Sequence, residues 1–301
     1  MSGDTPAPSF EQWRRTASTY RHRGHAIAYR AEGEGPALLA IHGFPSASWD
    51  WAPLWSRLTA RFQVIAADMI GFGDSDKPRA YDYSILDQAT LHEGLLATLG
   101  VERFHVLAHD YGDTVAQELL ARHEARASSG KSGPAISSIC FLNGGLFPEA
   151  HRPRFVQHLL ASPLGFAVGA LSSKATFRAG LTAVFGPHTP PSPQLVDELW
   201  TLLRHADGQR VLHRLIGYMA ERRRHRERWV GPLLRTSVPL RLIDGSLDPV
   251  SGAHLAARYR ELVPKADVTE LPRVGHYPQV EDPDGVLRAF FAFHDRLARE
   301  P

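Results

Sequence analysis

Residues 104 to 112 read Phe-His-Val-Leu-Ala-His-Asp-Tyr-Gly, and this stretch decides the fold. An apolar run, Phe104–Ala108, leads into a polar turn, and Thr114–His123 behind it is rich in helix formers. Small residues, Ala108 and Gly112, stand two positions before and two positions after Asp110. A strand, a sharp turn and a helix in this order are the layout of a nucleophile elbow, which exposes one side chain at the end of a strand.

Other apolar runs of similar length lie on both sides of this stretch. Near-continuous apolar runs separated by helical segments are typical of parallel strands that are covered on both faces. The segment Tyr83–Leu99, which ends before Gly100, is predicted to be one of the covering helices, and Tyr20–Ala31 is predicted to form an antiparallel edge hairpin. The remaining runs are Ala37–Ile41, Phe62–Ala67, Ile136–Leu142 and Val238–Ile243.

The region between the fourth and fifth runs lacks a clear strand and is interrupted by proline and glycine. We interpret it as a helical cap inserted into an α/β fold whose central sheet is mostly parallel and flanked by helices. The predicted division is a first core part at residues 1–145, a helical cap at 146–235 and a second core part at 236–301.

Composition excludes several classes of function. The 301 residues carry a formal net charge of +2, which gives no overall attraction to nucleic acid or anionic lipid, and the single cysteine excludes a disulfide framework. No histidine pair has metal-ligand spacing with a third ligand nearby, so we expect neither a metal nor a cofactor. The start of the chain lacks the basic-then-apolar order of a signal peptide, and no apolar run reaches the length of a membrane span. We therefore expect a cytoplasmic protein.

Two segments of the predicted cap have unusual composition, and we interpret both as ordinary helices. The segment Leu159–Leu171 is apolar but short and broken by Ser162 and Pro163, and we expect a buried or cap-facing helix there. The basic run Glu221–Arg228 contains interspersed glutamates, so we expect a solvated cap helix and not a nucleic-acid patch.

The residue at the elbow position determines the chemistry. An ionised carboxylate needs no base in order to attack, so Asp110 suits displacement at a saturated carbon and formation of an alkyl ester. Hydrolysis of that ester needs a base, and the order Asp110, Asp248, His276 is the chain order of nucleophile, acid and histidine. We predict that His276 is the base.

The acid that orients His276 is expected after one of two strand runs, Ile136–Leu142 or Val238–Ile243. Asn143 follows one of these runs but carries no charge. Asp244 lies directly at the end of the other run and is expected to shape the turn, whereas Asp248 lies further out and can reach back to the imidazole. We therefore predict Asp248.

Attack by water on the ester develops an oxyanion that backbone N–H groups have to receive. The residue after the nucleophile, Tyr111, supplies one N–H, and Phe44, which follows His42-Gly43, supplies the other. We assign Phe44, Tyr111, His42 and His109 to the substrate-binding surface.

The motifs together resemble the α/β-hydrolases that use an aspartate nucleophile, namely epoxide hydrolases and haloalkane dehalogenases. The resemblance runs from about Tyr20 to the C-terminal helix. It rests on His42-Gly43-Phe44-Pro45, Gly71-Phe72-Gly73-Asp74-Ser75-Asp76-Lys77-Pro78, His109-Asp110-Tyr111-Gly112, Asp248-Pro249 and Gly275-His276.

Departures from the family pattern separate its two reactions. The resemblance implies that a dehalogenase would hold the halide with a Trp after the nucleophile and a Trp or Asn after His-Gly, but this chain has Tyr111 and Phe44 there. Phe44 fits an epoxide hydrolase, which would also use two cap tyrosines to bind and protonate the epoxide oxygen. Tyr218 resembles the second of them and the first is missing, so His151 or Tyr111 is a candidate substitute.

The resulting hypothesis is cofactor-independent epoxide hydrolysis to a vicinal diol, with Asp110, Asp248, His276 and Tyr218 as catalytic residues. The partner would be a small apolar molecule that carries an epoxide or another electrophilic carbon, with no nucleic acid bound. Three alternatives stay open: haloalkane or haloacid dehalogenation, ester or lactone hydrolysis, and ligand binding without catalysis.

Overall fold

An eight-stranded sheet forms the centre of the protein in a computed structural model, which describes residues 7 to 299. Residues 1 to 6, which belong to the segment expected not to be a signal peptide, lie outside the described residues. The spatial order is β1-β2-β4-β3-β5-β6-β7-β8. The hairpin β1–β2 pairs antiparallel, β2 pairs antiparallel with β4, and every later pairing is parallel. The strands are β1 Ser18–His22, β2 His25–Glu32, β3 Ala37–Ile41, β4 Gln63–Ala67, β5 Arg103–His109, β6 Ala135–Leu142, β7 Leu240–Gly245 and β8 Val268–Leu271.

The predicted edge hairpin and all five predicted runs are confirmed as strands. Alternate residues of β3 pack into different cores, with Leu39 and Ile41 on one face of the sheet and Leu38 and Ala40 on the other. This two-sided burial explains why the runs are continuously apolar. The sequence did not indicate β8, because its four residues are mostly half-buried or exposed and lack a run of buried apolar side chains.

Helices cover both faces of the sheet. Residues of α3, α4 and α12 contribute to one core, and residues of α2 and α14 contribute to the other. The predicted helices are confirmed as α3 and α4, although α4 begins directly after Asp110 and is longer than expected. The helices outside the β6–β7 connection are α1 Phe10–Arg15, α2 Ala52–Thr59, α3 Ile85–Thr98, α4 Tyr111–Ser129, α12 Ala253–Leu262, α13 Pro278–Glu281 and α14 Pro283–Leu297.

The connection between β6 and β7 is helical throughout its regular elements. The helix α11 packs on α4 of the core, where the buried carboxylate of Glu118 accepts hydrogen bonds from Arg228 Nε at 2.7 Å and from Trp229 Nε1 at 2.8 Å. The division at residues 146 and 235 stays a prediction. The helices of the connection are α5 Phe155–Leu160, α6 Gly165–Ala170, α7 Lys174–Thr182, α8 Pro193–Arg204, α9 Leu212–Leu215, α10 Tyr218–Arg224 and α11 Arg226–Arg235.

The expectation of a buried helix at Leu159–Leu171 is wrong. The segment is divided between α5 and α6, and the turn that separates them contains Pro163. Leu164 and Leu171 are 68% and 83% exposed, since helices this short cannot turn every apolar side chain toward one core. Within residues 7–299, no helix is long and apolar enough to cross a membrane.

Gly112, in the first turn of α4, is a position where only glycine fits. A Cβ atom there would lie 2.4 Å from the backbone carbonyl oxygen of Ile41, which cannot move without disturbing β3. We expect Gly112→Ala to lower the free energy of unfolding by about 1–3 kcal/mol, the usual cost of overpacking. Urea denaturation measures this change.

The matched control is Gly180→Ala in α7, where an added Cβ meets nothing within 4 Å. A helical glycine replaced by alanine without a clash should raise the free energy of unfolding by about 0.5–1 kcal/mol. Equal unfolding energies for the two variants would contradict the steric argument at Gly112.

Candidate active site

Asp110 lies at the sharp turn between β5 and α4, as the elbow prediction requires. Its backbone adopts φ of 49° and ψ of −104°, a conformation that L-residues rarely occupy and that is typical of functional sites. The next residue, Tyr111, begins the helix. The turn directs the Asp110 side chain, which is 3% exposed, into a cavity at the carboxyl edge of the sheet.

The three predicted triad residues lie together. The distance from His276 Nδ1 to Asp248 Oδ2 is 2.8 Å, which is a charge-assisted hydrogen bond. On the other side of the imidazole, Nε2 lies 4.0 Å from Asp110 Oδ1, which is too long for a direct hydrogen bond. His276 therefore bridges the two carboxylates, bonded to one and facing the other.

Asp248, and not Asp244, contacts the imidazole. Asp248 Oδ1 accepts a hydrogen bond from the Val250 backbone N–H at 2.7 Å, and Oδ2 accepts one from Ser251 Oγ at 2.8 Å. Asn143 Nδ2 donates a further bond to Oδ2 at 3.1 Å. Asp244 is buried on β7, and burial raises its pKa to about 8. Of the two aspartates, Asp248 is thus the one whose oxygens receive the hydrogen bonds that an ionised carboxylate needs.

The two carboxylates control the protonation of His276. Burial by itself would lower the pKa of His276, but the negative charge and hydrogen bond of Asp248, followed by the charge of Asp110, raise it to about 9. Burial would likewise raise the pKa of Asp248, yet the charge and hydrogen bond of His276 hold it below its ordinary value. At neutral pH the resting site contains an imidazolium between two carboxylates.

Phe44 supplies the predicted backbone donor. Its N–H donates to Asp110 Oδ2 at 3.0 Å, so one carboxylate oxygen already occupies the oxyanion position. His42 fixes this loop: its Nε2 accepts from the Met69 N–H at 3.1 Å, and its Nδ1 therefore donates to the Gly43 carbonyl at 2.8 Å. Burial lowers the pKa of His42, so the ring stays neutral and suited to this pairing.

His109 holds the backbone at His276 in place. Its Nε2 donates to the backbone carbonyl of His276 at 2.7 Å, and burial lowers its pKa to about 3. Neither His42 nor His109 lines the cavity; both hold backbone segments that do. Tyr111 is buried, with its ring 4.9 Å from that of Tyr218 and 5.4 Å from that of Phe72.

Tyr218 is buried beside the nucleophile. Its ring lies 6.1 Å from the Phe44 ring, and its hydroxyl makes no hydrogen bond of good geometry within residues 7–299, although the Arg222 and Gln157 side chains lie beside it. Burial and then the negative charge of Asp110 raise the pKa of Tyr218, which keeps the phenol protonated. A buried hydroxyl without a partner is costly in a static fold and available to a ligand.

Arg222 is a site residue that the sequence analysis missed. Its Nε donates to Thr114 Oγ1 at 2.6 Å, its Nη2 donates to the Asp110 backbone carbonyl at 3.1 Å, and Nη2 lies 4.0 Å from Asp110 Oδ1. Its guanidinium stacks 4.5 Å above the Tyr218 ring. The expectation of a solvated run is therefore wrong for Arg222, which is 2% exposed. The signal that could have identified Arg222 is its position four residues after Tyr218, because residues four apart lie on the same side of a helix, here α10.

An apolar cavity of about 500 Å³ runs from Asp110 and His276 to the helices of the β6–β7 connection, and Tyr111, Tyr218 and Arg222 are not among the residues that line it. Asp110, His276, Phe44 and Tyr277 line its inner end. The remaining wall is mostly aliphatic or aromatic and includes Leu160, Val168, Phe177, Leu181, Leu203 and Leu212. In residues 7–299, no group of three or more His, Cys, Asp or Glu side chains is arranged to hold a metal ion.

Comparison with known proteins identifies the class. A family model for the alpha/beta hydrolase fold matches residues 36–283. The chain belongs to the α/β-hydrolase family, and the predicted fold class is confirmed. Mesoderm-specific transcript protein of Mus musculus is 40% identical to it over 298 residues, which cover 95% of this chain and 88% of that relative.

Solved structures of an epoxide hydrolase and of a haloalkane dehalogenase share the fold. The epoxide hydrolase CorEH superimposes with a TM-score of 0.73 at 20% identity, covering 94% of this chain and 99% of that chain. The haloalkane dehalogenase DatA from Agrobacterium tumefaciens C58 gives 0.77 at 20% identity, covering 93% and 96%. The two likenesses agree with the expected family and do not distinguish its reactions.

The charge of Asp248 should be measurable at His276. We expect Asp248→Asn to lower the pKa of His276 well below about 9, because the variant removes the leading favourable charge while burial continues to oppose protonation. Titration of isotope-labelled histidine by NMR measures this pKa. The matched control, Asp244→Asn, alters a neighbouring buried carboxyl that does not contact the ring and should leave the pKa nearly unchanged. A larger effect from the control would show that Asp244 governs the imidazole.

Proposed function

We propose that this protein is a cofactor-independent epoxide hydrolase that forms a covalent ester on Asp110. One observation carries the proposal: Oδ2 of Asp110 accepts the Phe44 N–H, whereas Oδ1 accepts no hydrogen bond within residues 7–299 and faces His276 at 4.0 Å. The two carboxylate oxygens therefore have different roles: Oδ2 is held where the oxyanion will form, and Oδ1 is available to attack.

In the first step, Oδ1 attacks an epoxide carbon and the carbon–oxygen bond of the ring breaks. The ring oxygen takes the proton of the Tyr218 hydroxyl and becomes the alcohol of a hydroxyalkyl ester. The phenolate left on Tyr218 lies under the Arg222 guanidinium, 4.5 Å from the ring centre. This positive charge favours the phenolate and offers a role for the buried arginine.

In the second step, His276 acts as the base. Ester formation removes the charge of Asp110, one of the contributions that raise the pKa of His276, so the imidazolium more readily loses its proton, which restores the Tyr218 hydroxyl from the phenolate. The neutral ring then takes a proton from the water that attacks Cγ of Asp110. The negative charge develops on Oδ2, which the Phe44 N–H already contacts.

Collapse of this intermediate releases the diol. The bond between Cγ and Oδ1 breaks, Oδ1 leaves with the product, and the leaving oxygen takes the proton from His276. The proton that remains on the regenerated Asp110 carboxyl passes to the neutral His276, 4.0 Å away, which restores the resting imidazolium and carboxylate. One water is consumed for each epoxide, and its oxygen stays in Asp110 after the first turnover.

The cavity supports an apolar substrate. A volume of about 500 Å³ falls in the range of small-molecule sites, and its wall is mostly apolar. We therefore propose a small apolar molecule with an epoxide as the substrate. We also propose a cytoplasmic location, which fractionation of the producing cells tests.

Oxygen labelling tests the covalent step. With enzyme in excess over a terminal alkyl epoxide in heavy-oxygen water, we expect a single turnover to place the label in the Asp110 peptide and to release unlabelled diol. Mass spectrometry measures both products. Label in the diol after one turnover would show direct attack by water and would overturn the ester mechanism.

Removal of the base should trap the intermediate. We expect His276→Gln to slow ester hydrolysis by at least about 10²-fold, the usual contribution of a general base, so that the protein gains the mass of one substrate. The control is Asp110→Asn with the same epoxide, which should gain no mass. Halide release from a haloalkane panel, together with no turnover of any epoxide, would instead favour the dehalogenase alternative.

Tyr218 should matter only in the first step. We expect Tyr218→Phe to slow ester formation by about 10²–10⁴-fold, because the ring oxygen loses its proton donor. Stopped-flow measurement of the burst in the His276→Gln background isolates this step. The matched control is Tyr259→Phe, since Tyr259 is also buried with a hydroxyl that lacks a partner within residues 7–299. Equal rates for Tyr218→Phe and the control would remove Tyr218 from the mechanism.

A further inference from the structure

The exposed large apolar side chains are concentrated in one place. Of the eight found within residues 7–299, six belong to the stretch 155–171 on α5, α6 and the turn that joins them. Phe155, Leu164, Phe166 and Leu171 are each more than half exposed. We name this surface the apolar rim, which consists of Phe155, Val156, Leu159, Leu164, Phe166 and Leu171.

The segment of the chain that carries the apolar rim has charges of one sign. Residues 150–183 contain no aspartate or glutamate, although the whole chain is almost neutral. Arg152, Arg154 and Arg178 are exposed in this interval and form no ion pair within residues 7–299, whereas Lys174 is paired with Asp197. Arg152 and Arg154 thus closely precede the rim residue Phe155, and Arg178 follows the cavity-lining residue Phe177.

The apolar rim is continuous with the active-site cavity. Four of its residues, Phe155, Val156, Leu159 and Leu171, line the same cavity whose inner end contains Asp110. Arg154 lines this cavity as well, so a charged group lies at the outer end of an otherwise apolar wall. A molecule that leaves an apolar environment at the rim would meet apolar side chains along the route to the nucleophile.

These features fit a lipid bilayer better than a second copy of the chain. A symmetric dimer across the apolar rim would bring six uncompensated arginines together and would close both cavity mouths. An anionic bilayer supplies the opposite charge, accepts exposed Phe and Leu side chains, and dissolves apolar molecules.

We infer that the apolar rim docks on the surface of a membrane that contains anionic lipids, with the cavity mouth facing the bilayer. The side chains of α5 and α6 enter the boundary between headgroups and acyl chains, while Arg152, Arg154 and Arg178 lie at the phosphates. No part of the chain has to span the bilayer for this arrangement. The inference concerns a surface and stands independently of the reaction proposed for Asp110.

Vesicle binding tests the apolar contribution. The full chain is mixed with vesicles of phosphatidylcholine containing phosphatidylglycerol and separated by flotation. We expect the double variant Phe166→Ser/Leu171→Ser to bind at least about tenfold more weakly, since binding scales with the apolar area that enters the interface. The control is Leu234→Ser, which removes an exposed leucine on α11 and should bind like the unmodified protein.

Substitution of arginines tests the electrostatic contribution to vesicle binding and does not disturb apolar packing. We expect Arg154→Gln/Arg178→Gln to weaken binding by about fivefold for each arginine, and vesicles of pure phosphatidylcholine to weaken it similarly. The matched control is Arg223→Gln/Arg224→Gln, which removes two exposed arginines from α10 outside the apolar rim. Equal effects of the two pairs would show non-specific electrostatic attraction and would overturn the docking surface.

Three outcomes decide against the proposal. It fails if the unmodified protein does not float with anionic vesicles, or if Phe166→Ser/Leu171→Ser and Leu234→Ser bind alike. It also fails if analytical ultracentrifugation finds a dimer that only the rim variants dissociate, because the rim would then be a protein interface. Hydrolysis of a water-soluble epoxide, measured without vesicles, reports on the site chemistry separately.

Discussion

The charge-assisted hydrogen bond between Asp248 and His276 is the interaction around which the carboxyl edge of the sheet is arranged. The Asp248 carboxylate is buried, and a buried carboxylate stays ionised only when its oxygens are bonded or paired with a cation. Ser251, the Val250 N–H and Asn143 supply those bonds from one side, and His276 supplies the cation from the other. Loss of any one of these partners leaves the remaining groups unpaired in a region of low dielectric.

The same interaction explains several residues that do not touch a ligand. His109 binds the His276 backbone carbonyl, and Gly43 passes so close to His109 that a Cβ would lie 2.7 Å from its Nδ1. His42 holds the loop that carries Phe44. Histidines with lowered pKa values are neutral here and serve as hydrogen-bonding units, which leaves His276 as the one imidazole of the site placed between two carboxylates.

The sequence predicted the parts of this protein that depend on local pattern. Continuous apolar runs identified β3 to β7, and the small residues around Asp110 identified the elbow. The residue order Asp110, Asp248, His276 indicated a triad whose members the structure brings together. These features follow from spacing along the chain, which determines where strands end and which side chains reach the same edge.

The features that the sequence could not predict depend on contacts between distant segments. Arg222 belongs to a basic run, and only the packing of α10 on α4 buries it against Thr114 and the Asp110 carbonyl. Asn143 carries no charge, and its role is visible only once β6 and β7 bring it against Asp248. The exposure of Phe166 and Leu171 depends likewise on the break between α5 and α6, because an unbroken helix would have buried part of that segment.

The attachment of α10 and α11 to α4 has a consequence for how ligands travel. Arg222 donates to Thr114 and to the Asp110 backbone carbonyl, and Arg228 donates to the buried carboxylate of Glu118. The second half of the connection is therefore tied to α4 of the sheet domain. The first half borders the cavity through α5 and α6, so the route along the cavity lies beside two helices of six residues each.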